Sequence, residues 1–254
     1  MTRRERERWA PWLLLVVVLV LWEAVCRGFG ISEFIFPSPS RIATQLVEFR
    51  GVIAGHAWRT FWVTMLGFGL SIVVGTLLGF LIGSSRMAYA AMYPLMTGFN
   101  AVPKAAFVPI LVVWFGIGVG PAVLTAFLIS FFPITVNIAT GLATIEPELE
   151  DVLRVLGAKR WDVLIKIGLP RSMPYFYASL KVAITLAFVG TTVSEMTAAN
   201  EGIGYLLISA GSSMQMGLAF AGLVVVGAMA MGMYELFAAI EKRTTGWAHR
   251  GTAG

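Results

Sequence analysis

Six predominantly apolar intervals divide this chain: 11–28, 58–83, 89–114, 122–142, 175–198 and 217–240. Each is close to or above the roughly 20 residues an α-helix needs to cross about 30 Å of hydrocarbon. Inside hydrocarbon every backbone N–H and C=O must be satisfied within the segment or by a closed barrel, so apolar runs of this length become helices. Composition agrees: 57% of the residues are hydrophobic and 13% charged, about half the charge a soluble domain carries. The expectation is an all-α integral membrane protein, a single transmembrane domain over 1–254 with six transmembrane helices. The net charge of +5 does not point to nucleic acid, because the basic residues fall between the spans. A lone Cys26 excludes an internal disulfide and a cysteine-based zinc site.

The basic start followed by the 13–21 apolar run has the outline of a signal peptide, but no small-residue cleavage site follows, and a retained first span is expected. The 31–55 interval carries Phe36-Pro37-Ser38-Pro39-Ser40, which cannot be helix interior, and 41–50 suits an interfacial helix outside the membrane. The second span places Gly67, Ser71, Gly75, Gly79 and Gly83 at every fourth position. Such a stripe lets two helices approach closely; packing within one subunit is the simpler reading, a subunit interface the alternative. Pro94, Pro103 and Pro109 interrupt the third span, with Lys104 between two of them. Broken helices at membrane depth are tolerated where they line a cavity or pack within protein. A kink is expected at Pro133 and a turn over 200–204. Lys104 and Glu195 are ionisable residues in the outer half of their spans, and such residues pair or line a path; they are the candidate translocation-path residues. Lys181, nearer the other end, is expected to snorkel.

The longest charge-rich interval is 146–174. Pro147 and the acids Glu148, Glu150 and Asp151 suit a first helical turn. Leu149, Val152, Leu153 and Leu156 form one apolar face, and Gly157 stands where a left-handed C-terminal cap belongs. A second short helix with Trp161, Leu164 and Ile165 on one side is expected to stop at Gly168 and Pro170. Arg154, Lys159, Arg160, Lys166 and Arg171 keep this interval out of the bilayer. With Arg3, Arg4, Arg6, Arg8, Arg86, Lys242, Arg243 and Arg250 they give one side a basic excess over Arg27, Arg41, Arg50 and Arg59. The positive-inside rule makes that side cytoplasmic, with both termini there. No G-x-x-x-x-G-K-[ST] loop, H-E-x-x-H or G-x-S-x-G occurs, so neither ATP hydrolysis nor hydrolytic chemistry is expected of this chain.

Gly157, nine further residues and Ile167-Gly168-Leu169-Pro170 resemble the "EAA" loop of the permease subunits of binding-protein-dependent ABC importers, with Asp151-Val152-Leu153 at the Glu-Ala-Ala positions. Phe36-Pro37-Ser38-Pro39, His56, Gly67-Phe68, Trp114-Phe115-Gly116-Ile117-Gly118, Glu195-Met196 and Gly202-Ile203-Gly204 are similar to the nitrate, sulfonate and taurine type. The resemblance implies a type I ABC importer permease fold with cytoplasmic coupling helices over 143–174. It gives ATPase coupling to Asp151, Leu153, Arg154, Leu156, Gly157, Ile167, Leu169 and Pro170. It further implies a homodimer in the bacterial inner membrane, two cytoplasmic ATPase subunits that carry the ATP and Mg, and a periplasmic substrate-binding protein, with no cofactor in this chain. The solute implied is small and anionic, containing nitrogen or sulfur; a heterocyclic vitamin precursor, aromatic acid or amino acid is the alternative. A reporter fused after Gly254 is expected to be active only in the cytoplasm, and periplasmic activity would reject the six-span topology.

Overall fold

The computed structural model describes residues 3–144, 155, 157, 162 and 164–245, and these contain helices and turns but no strand. In chain order the helices are α1 (Arg3–Gly28), α2 (Pro39–Glu48), α3 (Arg50–Gly83), α4 (Arg86–Ala101), a 3-10 turn (Lys104–Phe107), α5 (Val108–Phe115) and α6 (Val119–Ala143). After the charge-rich interval come a π-helical turn (Leu164–Gly168), α7 (Leu169–Ala198), α8 (Ile203–Ser212) and α9 (Met216–Thr244). Among the described residues five helices are long and apolar enough to cross a membrane, and α4 with α5, bent by 73°, makes a sixth if the pair is taken as one span. The end of the bundle from which 145–163 departs is called the loop end, and the opposite one the far end.

Close approach of α3 to α6 sets the bundle. A β-carbon on Gly67 would lie 2.6 Å from that of Ala126, one on Gly75 3.0 Å from Ile134, one on Gly79 2.8 Å from Ile138, and one on Gly83 2.8 Å from Leu142. The remaining member of the stripe, Ser71, meets Ser130 through a 2.7 Å hydroxyl contact. All five pairs share one sequence offset, 59 residues, so the two helices run parallel and in register. The stripe therefore packs within the subunit. On its other side α6 meets α7, which runs antiparallel: Gly190 faces the backbone of Ala126 and Gly141 faces Ser172. Phe68, Ile134, Ile138, Leu180, Ile184 and Phe188 fill the space between the three helices. Thr64 donates to Thr191 at 2.9 Å, a buried hydroxyl pair joining α3 to α7.

Several local expectations change. Helix α3 begins at Arg50, because no proline stands between 50 and 58 to interrupt it. Pro94 lies inside α4 without ending it, whereas Pro103 occupies the break and Pro109 sits in the first turn of α5. Gly168 and Pro170 do not stop a helix: the π-helical turn runs into α7, and Pro170 stands in its first turn, where a missing N–H costs no intrahelical bond. Lys181 does not snorkel. Its ammonium is 2.5 Å from Glu241 of α9, with both side chains mostly buried. Helix α8 is only ten residues long, about half of what a membrane crossing needs.

The stripe makes a mutational prediction. Gly79→Val would force atoms into Ile138 and the Thr135 carbonyl, and overpacking of this kind costs about 1–3 kcal/mol. Gly69, with nothing near its missing side chain, is the control. Thermal denaturation of the purified protein is expected to show a clear loss for Gly79→Val and none for Gly69→Ala.

Candidate functional site

At the far end, three neighbouring residues of α3 grip the turn that starts α8. His56, Arg59 and Thr60 have the i, i+3, i+4 spacing of one helix face. The His56 Nδ1 accepts the Gly202 N–H at 3.1 Å, and the Thr60 hydroxyl oxygen accepts the Ile203 N–H at 2.7 Å. The next N–H, that of Gly204, is accepted at 3.0 Å by Glu195 Oε2 from α7. A helix start leaves its first N–H groups without intrahelical partners, and α8 has no cap from its own chain neighbourhood. Three side chains from two other helices do that work. The Thr60 hydroxyl in turn donates to Glu195, 2.8 and 3.0 Å from its two oxygens. Arg59 pairs with Glu201 at 3.3 Å; both are well exposed, so the pair adds little stability.

Glu195 is 2% exposed, and its carboxyl group explains both glycines of Gly202-Ile203-Gly204. A side chain on Gly202, at φ +101°, would collide with the Glu195 carboxyl, and one on Gly204 would collide with the Thr192 carbonyl and Glu195 Cβ. Beside this knot lies a cavity of about 240 Å³, lined by Arg59, Val63, Gly118, Glu195, Asn200 and Glu201. The Gly118 N–H donates to the Ala198 carbonyl at 3.0 Å, holding the turn before α6 to the end of α7.

Lys104 lies elsewhere, at the break between α4 and α5. Its ammonium donates to the Asn100 carbonyl at 2.9 Å and to Asn100 Oδ1 at 2.8 Å, and stands 5.8 Å from the centre of the Phe99 ring. The cation thus replaces the backbone donor that the break removes and faces the negative end of α4. No carboxylate among the described residues lies within ion-pair distance of it. The structure does not bring Lys104 and Glu195 together: each has its own partners, and the pairing that their chemistry allows is not made.

Of the loop residues, Asp151, Leu153, Arg154 and Leu156 fall outside the described residues. Gly157 has φ +85°, the left-handed conformation. Ile167 belongs to the π-helical turn, and Leu169 and Pro170 open α7 with exposed side chains. Sequence reasoning missed His56 and Thr60 as the groups that cap α8 together with Glu195, although their spacing at the start of an apolar span was a readable sign.

Glu195→Ala is expected to leave the Gly204 N–H and the Thr60 hydroxyl without acceptors, at roughly 1–3 kcal/mol for each buried donor. Glu195→Gln, which keeps one acceptor, is expected to lose less. Amide exchange resolved at 202–206 is the measurement: protection there should fall in the order wild type, Gln, Ala, and unchanged protection in Glu195→Ala would reject the capping role.

Comparison with known proteins follows the same architecture. Residues 71–246 match the family described as "Binding-protein-dependent transport system inner membrane component". The formylaminopyrimidine transport permease protein ThiX of Halalkalibacterium halodurans is 32% identical over 204 residues, 80% of this chain and 81% of that one. The putative aliphatic sulfonates transport permease protein SsuC of Bacillus subtilis is 27% identical over 96% of this chain and 90% of its own length. Among solved structures, a chain of the inward-facing MetNI methionine ABC transporter superposes with a TM-score of 0.67 at 16% identity, covering 78% of this chain and 98% of that one. The all-α bundle has the type I ABC importer permease fold, and the chain belongs to the family of binding-protein-dependent transport system inner membrane components.

Proposed function

We propose that this chain is the permease subunit of an ATP-driven ABC importer that forms the translocation path for a small solute delivered by a periplasmic binding protein. One observation carries the reading: the family match runs through the charge-rich interval between α6 and α7, where Gly157 is left-handed and Pro170 opens α7. Two copies of the chain would enclose the path, and two cytoplasmic ATPase subunits would bind ATP and Mg. The apolar face of Leu149, Val152, Leu153 and Leu156 would enter a groove of the ATPase, with Asp151, Arg154, Gly157, Ile167, Leu169 and Pro170 completing the coupling surface. Both termini would lie in the cytoplasm, the loop end inside and the far end toward the periplasm. Closure of the ATPases on ATP would then draw the two loops together and turn the path outward, and hydrolysis would return it inward.

Lys104 and Glu195 are the ionisable candidates for the path. Lys104, a buried cation without a carboxylate partner among the described residues, favours an anionic solute, in keeping with the sulfonate permease among the relatives. Glu195 lines the far-end cavity but has its oxygens engaged. The formylaminopyrimidine permease among the relatives supports the second reading, a heterocyclic solute.

Co-purification from membranes tests the assignment. The wild-type permease is expected to retain its ATPase, and vesicles holding the complex and the binding protein to take up solute only with ATP. Leu153→Asp would place an unpaired charge in the groove, several kcal/mol or at least about a hundredfold in affinity, so a folded permease that no longer holds the ATPase is the expected outcome. Normal recovery with normal substrate-stimulated hydrolysis would remove the coupling role from this face and move it to Arg154, Lys159 and Arg160.

A further inference from the structure

We infer that the broken span of α4 and α5 presents one polar face to water at membrane depth, and that this face, rather than the Glu195 cluster, is the wall a solute meets. The inference rests on the importer reading and names the surface of the path. Depth comes from packing. The Tyr89 hydroxyl is 3.2 Å from Thr140, and the Phe99 ring is 6.1 Å from that of Phe131, so α4 climbs antiparallel to α6. Continuing that register sets the break beside residue 127, about 12 Å inside the far end of α6 at 1.5 Å per residue. At that level Ala101, Val102 and Pro103 are exposed, and Val102 and Pro103 have extended backbone.

Irregular backbone does not face lipid within the hydrocarbon; it is found inside protein or along water. Protein of this subunit does not cover it, since α4 buries none of its residues. The side chains agree. Tyr89, Tyr93, Thr97 and Asn100 fall within an arc of about 80° on α4, and Lys104, buried just beyond the break, reaches back to Asn100. Thr97 and Asn100 are exposed. Leu95, on the opposite side of the helix, is apolar and exposed. The Thr97 hydroxyl proton goes to the Tyr93 carbonyl and the Lys104 ammonium is buried against Asn100, so the face offers a solute the Asn100 amide N–H groups and the Thr97 oxygen, and the cation close behind them favours one that carries negative charge.

Thiol labelling separates water from the alternatives. The cysteine thiolate, which forms in water and not in lipid, attacks the sulfenyl sulfur of a methanethiosulfonate, forming a mixed disulfide and releasing methanesulfinate. In a Cys26→Ala background, the full transporter in membrane vesicles of both orientations would be treated with a charged, membrane-impermeant methanethiosulfonate. Thr97→Cys and Ala101→Cys are expected to label to completion. Leu95→Cys and Leu77→Cys, exposed on apolar surface of α4 and α3, are expected to stay unlabelled. Two small-residue positions keep the test open if one variant fails to assemble. Thr97→Cys and Ala101→Cys as inert as Leu77→Cys would overturn the inference, whether lipid or a dry contact with a second copy covers them. Labelling of Leu95→Cys as complete as that of Thr97→Cys would overturn it too, because no single face would be wet. Uptake is measured separately: labelling of the polar face in vesicles whose uptake ignores ATP would reject the importer and leave the wet face standing.

Discussion

Contact between α3 and α6 at glycine distance governs much else in this bundle. Lipid gives two apolar helices no hydrophobic reason to associate, so close backbone approach, dispersion and short hydroxyl contacts must hold them. Four glycines and one serine supply that approach along α3, and the serine meets its counterpart on α6. Because the pairs keep one offset, α6 is fixed both along and around α3. Helix α7 then rests on both, through Gly190 against α6 and Thr64 with Thr191. Thr60 lies one turn beyond Thr64 and so arrives opposite Glu195. The far-end knot is thus a downstream result of the helix contact, which brings an acceptor and its donors to one point.

A carboxyl group suits that point because α8 begins inside the protein, where no water can satisfy its first N–H groups. An imidazole nitrogen, a hydroxyl oxygen and a carboxyl oxygen take three N–H groups in succession, and none comes from the residues next to α8. The arrangement uses an ionisable residue for hydrogen bonding rather than for charge. Lys104 differs. It too answers an orphaned backbone group, but its ammonium, buried against Asn100, has no carboxylate partner among the described residues. Two ionisable side chains of one membrane domain therefore serve separate ends, one closing the start of α8 and one satisfying the carbonyl left at the end of α4.

Much of the fold was legible because run length and the punctuation of glycine and proline act locally. The apolar runs, the glycine stripe, the break at Pro103 and the positive φ at Gly157 all follow from rules that need no knowledge of neighbours. What was not legible depended on partners far along the chain. Lys181 looked like a snorkelling residue until Glu241, sixty positions away, turned out to face it. The acceptor role of Glu195 was hidden because it requires Thr60 and Gly204, which only the packing of three helices assembles. Helix α8 lacked the length that marks a span, and its capping groups lie on other helices. Prolines were misread where their position within a turn decided the outcome, as at Pro94 and Pro170.

The single 59-residue offset bears on how such a chain can change length. One residue added or removed within 67–83 would turn the remainder of α3 by about 100°, carrying the glycines away from α6 and setting bulky side chains against it. The same change in the turns at 84–85 or 116–118 leaves both faces of the contact intact, because each helix is placed by its own register. Length variation among chains of this architecture should therefore collect in the connections of the bent span and spare the two parallel helices it joins.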